Sequence, residues 1–150
     1  MQELYRLQNG YVGRSGSAEE NAVEINGGTP QMVYGGLSNR SDATGRIYKN
    51  HVTIRNGTIK GKVYGGAAEE ERSTGDVTHN TVTIYGGTVK RTVCGGSLED
   101  RTSTGNVAHN EVTVAGGILE KNVIGGYTRR GGNLTGNIVT IHGGKIQDTV

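Results

Sequence analysis

The chain has 150 residues, a formal charge of +2 spread through mixed signs, and only 32% apolar residues with no Trp or Phe. Balanced charge gives no electrostatic reason to expect nucleic acid or an acidic membrane as partner, and the aliphatic content suits a thin core rather than a thick aromatic one. Cys94 stands alone, which excludes an internal disulfide and any zinc site built on cysteines.

In chain order, the first segment is the least regular. Met1–Leu7 has no apolar leader segment, and no long apolar run occurs anywhere, so the chain as given is read as soluble, without an export signal or anchor of its own. Tyr5–Val12 aligns by eye with Val52–Ile59. That alignment predicts a first rung lacking the later Val-Tyr-Gly-Gly element and followed by a contracted loop, Ser15–Glu20. Residues 1–20 are thus an irregular first coil of a single domain covering 1–150, and residues 21–150 hold the regular repeats.

From Asn21 onward one unit recurs. Asn21, Asn50, Asn80, Asn110 and Asn137 each precede an apolar-polar-apolar triplet, such as Val52-Thr53-Ile54 or Val82-Thr83-Ile84. Alternation of β-branched residues predicts a strand with one buried face. The outward Thr53, Thr83, Thr113 and Thr140 are read as strand-face residues. Paired turn positions follow (Gly27-Gly28, Asn56-Gly57, Gly86-Gly87, Gly116-Gly117 and Gly143-Gly144), then a second strand with Ile59, Val89, Leu119 and Ile146 inside. Strict alternation would bury Gly61, Arg91, Lys121 and Asp148 next, so a bend or bulge is predicted there. Val33, Val63, Val93 and Val123 then open Val-Tyr-Gly-Gly, Val-Tyr-Gly-Gly, Val-Cys-Gly-Gly and Val-Ile-Gly-Gly at 30-residue spacing. The variable stretches Leu37–Gly45, Ala67–Gly75 and Ser97–Gly105 read as loops on one face. Ile47, Val77, Val107 and Leu134 form the last apolar column of each unit.

A unit with about five inward aliphatics is too small to fold alone, and stacking is what buries its face. No segment carries helical periodicity. The expected fold is therefore all-β: a single-stranded parallel β-helix, or β-solenoid, of about 30 residues per coil and four to five coils. The asparagine column has two readings. It forms a hydrogen-bonded ladder along the axis, or asparagine simply tolerates a turn conformation there.

Gly105-Asn-Val-Ala-His-Asn-Glu-Val-Thr-Val-Ala-Gly-Gly-Ile-Leu-Glu-Lys-Asn-Val-Ile-Gly-Gly126 shows the unit best. It resembles repeats in the passenger regions of bacterial autotransporters and related large surface adhesins. The resemblance spans about residues 21–150 and implies a right-handed β-helix displayed outside the cell, at the bacterial surface. It further implies that this chain, lacking that family's signal peptide and membrane barrel, is a fragment or a short relative. The function expected is that of a non-enzymatic structural or adhesive repeat segment. Its partner is an unidentified host-cell or bacterial-surface ligand, glycan or protein, and association through the open end, with another copy or a longer parent chain, is also expected. The rival from another class is a glycan-processing β-helix enzyme of the polysaccharide lyase or phage tailspike kind, and it needs convergent carboxylates. Glu111, Glu120 and Asp148 supply no convergent pair.

The polar cluster most suggestive of binding lies in the loops. In register, Glu69 stacks near Glu99 and Glu70 near Asp100, with Arg40, Arg72, Arg101, Arg129 and Arg130 at nearby loop positions. Four carboxylates on adjacent coils repel unless the loops splay, arginines intervene or a cation binds. The residues read as a solvated mixed-charge face in preference to a cation site, and no cofactor is expected. His79 and His109 share a column with Lys49 and Gly136 but lack further ligand columns, so they read as surface histidines. Tyr34, Tyr64, Cys94 and Ile124 share a column that reads as packing, interrupted as a sugar platform.

Overall fold

The computed structural model describes residues 6–8, 11–12 and 15–150, with side chains from Ser15 onward. Every regular element is a strand, and the strands stack in parallel as a β-solenoid of about four turns. Four sheets run along the axis. In the second coil their strands are Ile47–Tyr48, His51–Asn56, Thr58–Ile59 and Val63–Ala68. Pairing is in register, so Val52, Val82, Val112 and Val139 stack directly, as do Ile54, Ile84, Val114 and Ile141. The predicted break between the second apolar column and the Val-x-Gly-Gly strand is a bend at Gly61, Arg91 and Lys121, not a bulge.

The asparagines form the ladder. The Asn50 main-chain N–H and its Nδ2–H both donate to Asn80 Oδ1, at 3.0 and 2.9 Å. Asn80 does the same to Asn110, and Asn110 to Asn137. The second Nδ2 hydrogen of each goes to a carbonyl of the preceding strand, as Asn80 Nδ2 to Ile47 O at 3.0 Å. Both amide hydrogens and the carbonyl oxygen are therefore engaged, which is what makes a fully buried carboxamide tolerable. The turn-tolerance reading is overturned, because the left-handed residue lies one position earlier: Glu20, Lys49, His79, His109 and Gly136 have φ between 53° and 60°. That residue swings the chain from one sheet to the next and aims the following asparagine inward.

The second Gly pair was expected to close the strand before a loop, but the structure carries the strand through it: Val63–Ala68 and Val93–Leu98. A Cβ on Gly96 would lie 2.4 Å from Asn110 Nδ2, and one on Gly66 would lie 2.7 Å from Asn80 Nδ2. Glycine is required because the asparagine ladder packs flat against this strand. The seam of Asn and Gly divides the interior in two. The larger lobe holds the Val33, Val52, Ile54 and Ile59 columns, and the smaller holds Ile47, Val77 and Val107 with Ala68 and Leu98. The predicted loops accordingly start late, since Leu37 and Ala67 belong to strands and are fully buried.

Two further expectations change. The first rung is shifted from its predicted alignment: Leu7 pairs with Val33, and Tyr11 pairs with Leu37. Arg6–Gln8 and Tyr11–Val12 thus occupy the place of the Val-Tyr-Gly-Gly strand, because pairing follows the next coil's edge rather than similarity of residues. Tyr5, Asn9 and Gly10 of that alignment lie outside the described residues. At the other end, Leu134 (50% exposed), Ile141 (42%) and Val150 (58%) are not buried as their columns predict. The last rung has a neighbour on one side only.

Candidate functional site

Outside the solenoid lumen a third apolar cluster lies against the Val-x-Gly-Gly sheet. Alternation turns Val33 inward and its neighbour Tyr34 outward, yet Tyr34 and Tyr64 are almost fully buried. Their rings stack with centroids 5.3 Å apart and planes 17° from parallel. Leu37, Ala67 and Cys94 complete the cluster, with Met32 and Ile124 at its edges. The column is packing, as read from sequence; the buried ring faces provide no sugar platform.

Above this floor runs a trough parallel to the axis. One wall is the bend, carrying Lys60 and Lys62 on one coil and Arg91 on the next; the opposite wall begins each loop with Glu69 and Glu99. The main hollow holds about 500 Å³, and a second of about 230 Å³, reaching Thr92, Asn122 and Tyr127, shares Lys62, Tyr64 and Glu99 with it. The two form one open channel across successive rungs.

The walls are joined by polar contacts through the floor. The Tyr34 hydroxyl donates to Glu69 Oε1, and the Tyr64 hydroxyl donates to Glu99 Oε1 at 2.8 Å. Ser97 Oγ donates to the same Glu99 oxygen at 2.6 Å, and Lys62 Nζ lies 3.9 Å from the other. Lys62 also sits 5.8 Å from the Tyr64 ring centroid. Burial, reinforced by the Glu99 charge, pushes the Tyr64 phenol far above its usual range. Burial likewise raises the Cys94 thiol, with Glu99 adding to it. Both groups stay protonated at neutral pH, so Tyr64 is a hydrogen-bond donor there rather than a base, and Cys94 is no thiolate nucleophile. Arg91 is exposed and, among the described residues, makes no ion pair.

The loop residues singled out from sequence fall into two groups. The structure brings Glu69 and Glu99 together in the trough. The loops do not splay, since Glu69 N–H donates to Ser38 O and Glu99 N–H to Ala68 O, holding them in register. Repulsion is relieved instead by the two tyrosine hydroxyls, and Arg72 intervenes further out by pairing with Asp42 at 2.7 Å and with Glu71 at 2.9 Å. Asp100 turns away and accepts from Thr102 Oγ1 and Thr102 N–H, which holds its carboxyl below the ordinary range. Glu70, Arg101, Arg129 and Arg130 are on the outer surface and do not enter the trough. Sequence reasoning missed Lys60, Lys62 and Arg91, which sit on the bend it had inferred. The signal was present: outward positions at a bend, cationic in successive repeats.

No protein-family model, curated protein or solved structure matches this chain.

The remaining polar columns are separate. His79 and His109 are exposed, with rings 5.2 Å apart, and Tyr48 meets His79 edge-on at 5.3 Å. Among the described residues, no three His, Cys, Asp or Glu side chains converge on a point. Glu111 accepts from Thr113 on its own strand, and Asp148 pairs loosely with Lys121 at 3.7 Å. What the trough offers is therefore a pair of fixed acceptors facing a cationic wall.

Proposed function

We propose that this solenoid is a non-enzymatic adhesive repeat segment of an exported bacterial surface protein, and that it binds through the trough and the adjoining loops. The assignment to a surface protein rests on the resemblance of Gly105–Gly126 to adhesin repeats. The observation that carries the binding role is the contrast between columns. Inward positions repeat almost unchanged, because each must match its neighbour, whereas Lys62/Thr92/Asn122 and Gly61/Arg91 change from rung to rung along one continuous channel. Variation on a rigid scaffold is the arrangement expected of a recognition surface.

Weighing against the glycan-processing rival, Tyr64 and Cys94 are held protonated, Glu111 and Asp148 are set apart, and the two carboxylates that the trough does bring together, Glu69 and Glu99, each accept a tyrosine hydroxyl. The decisive experiment presents the immobilised 150-residue chain with cells and purified surface polysaccharides, scoring retention and chain cleavage together. Retention without new chain ends is expected. Turnover that disappears in Glu69→Gln, Glu99→Gln, Glu111→Gln or Asp148→Asn would establish the rival.

A further inference from the structure

We infer that the trough is a binding site for a glycan bearing carboxylated sugars, laid along the solenoid axis. The inference rests on the adhesive reading and names the ligand chemistry of that same site.

Two kinds of group face each other across the channel, and each has a matching half in an acidic sugar. Glu69 and Glu99 are acceptors held in place by Tyr34 and Tyr64. Glu99 Oε1 takes the tyrosine and serine hydrogens, while Oε2, among the described residues, has only the Lys62 ammonium 3.9 Å away, and Glu99 lines both hollows. Fixed carboxylate acceptors of this kind suit ligand hydroxyls. On the opposite wall, Arg91 has no carboxylate partner among the described residues, and its planar guanidinium can donate two parallel hydrogen bonds to a ligand carboxylate. Lys60 and Lys62 add positive charge one rung below.

A neutral glycan would leave the cationic wall unused. A simple polyanion would meet the two glutamates as repulsion. A carboxylated pyranose satisfies both walls at once. The channel is open along its length and crosses rungs spaced ~4.8 Å, close to the advance of one sugar unit in an extended chain. Its volume lies within the range of small-ligand sites. The apolar part of the lining is Met32, Ile124, Tyr127 and the edge of Tyr64, which is small beside the charged walls.

The test is calorimetric titration of the 150-residue chain with an oligomer of galacturonic acid, a neutral glucose oligomer of equal length and heparin. The oligouronate is expected to bind, and the neutral oligomer is not. Arg91→Ala is expected to weaken oligouronate binding at least tenfold without altering the melting temperature, whereas Arg55→Ala, outside the trough, leaves it unchanged. Glu99→Gln gives the sharpest discrimination. It removes a negative charge, so attraction of a polyanion by net charge alone predicts tighter binding, while acceptance of sugar hydroxyls predicts binding several-fold weaker. Equal binding of the neutral oligomer, a preference for heparin that Arg91→Ala and Arg55→Ala weaken alike, tighter binding by Glu99→Gln, or no binding of any oligomer would each overturn the inference. Should Arg91→Ala still retain cells in the adhesion assay, the adhesive reading survives and only the ligand assignment falls.

Discussion

The seam and the trough lie on opposite faces of the same strand, and they obey different rules. On the seam side, Gly66, Gly96 and Gly126 press against Asn80, Asn110 and Asn137. The identity of each residue is dictated by the rung above and the rung below. On the trough side, Lys62, Thr92 and Asn122 occupy equivalent positions with different chemistry. A stacked fold tolerates variety wherever a side chain meets a ligand or solvent, and forbids it wherever a side chain meets its own repeat.

The largest effects should come from charges placed inside. Ile84 is fully buried between two rungs, whereas Ile141 in the same column is 42% exposed. Ile84→Lys should abolish cooperative folding, since an unpaired buried ammonium exceeds what a marginally stable domain can absorb. Ile141→Lys should leave the inner rungs folded and lower the melting temperature modestly. Equal loss in both variants would show that the terminal rung is held as firmly as the middle.

A methyl group in the seam comes next. Gly96→Ala puts a carbon 2.4 Å from Asn110 Nδ2, and overpacking of this kind costs about 1–3 kcal/mol in urea unfolding. In an Asn110→Ala background the same substitution should cost far less, a coupling that a double-mutant cycle measures.

The trough floor gives a pH signature. Cys94 and Tyr64 both have raised pKa values in the folded chain, from burial first and the Glu99 charge second. Their contribution to stability is complete below the unfolded-state values and declines as pH rises through them, beginning with the thiol near pH ~8.5. The melting temperature should therefore fall above that pH, and Cys94→Ala should delay the fall until phenols titrate. The smallest expected change is a gain. Among the described residues Ser38 Oγ is buried without a hydrogen-bond partner, and Ala68 occupies the equivalent position one rung on. Ser38→Ala should stabilise by about 1 kcal/mol.

Most of the fold was legible because periodicity writes each inward column several times over. Val82 and Val112 lie where alternation puts them, and the bend at Gly61 follows from the cation at Arg91 that could not be buried. The first rung was misread because residue similarity between Tyr5–Val12 and Val52–Ile59 outweighed an edge-pairing constraint that no single segment displays. The role of the second Gly pair was hidden for a related reason. Glycine looks the same in a turn and against a packed carboxamide, and the asparagine responsible stands 14 residues further on, as Gly66 and Asn80 show. Glu69 and Glu99 were found as a stacked pair, but their tyrosine partners lie 35 residues earlier, so sequence suggested repulsion where the structure has hydrogen bonds.

The central claim is that the seam carries stability while the trough carries recognition, and urea unfolding of Asn80→Ala beside Arg91→Ala tests it most directly. Removing the Asn80 carboxamide strands both Asn50 donors inside the protein, and takes one donor each from the Ile47 carbonyl and from Asn110 Oδ1, which keeps the Asn80 main-chain N–H. Asn80→Ala should therefore lose about 3–5 kcal/mol, while Arg91→Ala, exposed at the bend, should stay within ~0.5 kcal/mol of the parent chain. Equal losses, or an Asn80→Ala variant as stable as its parent, would contradict it.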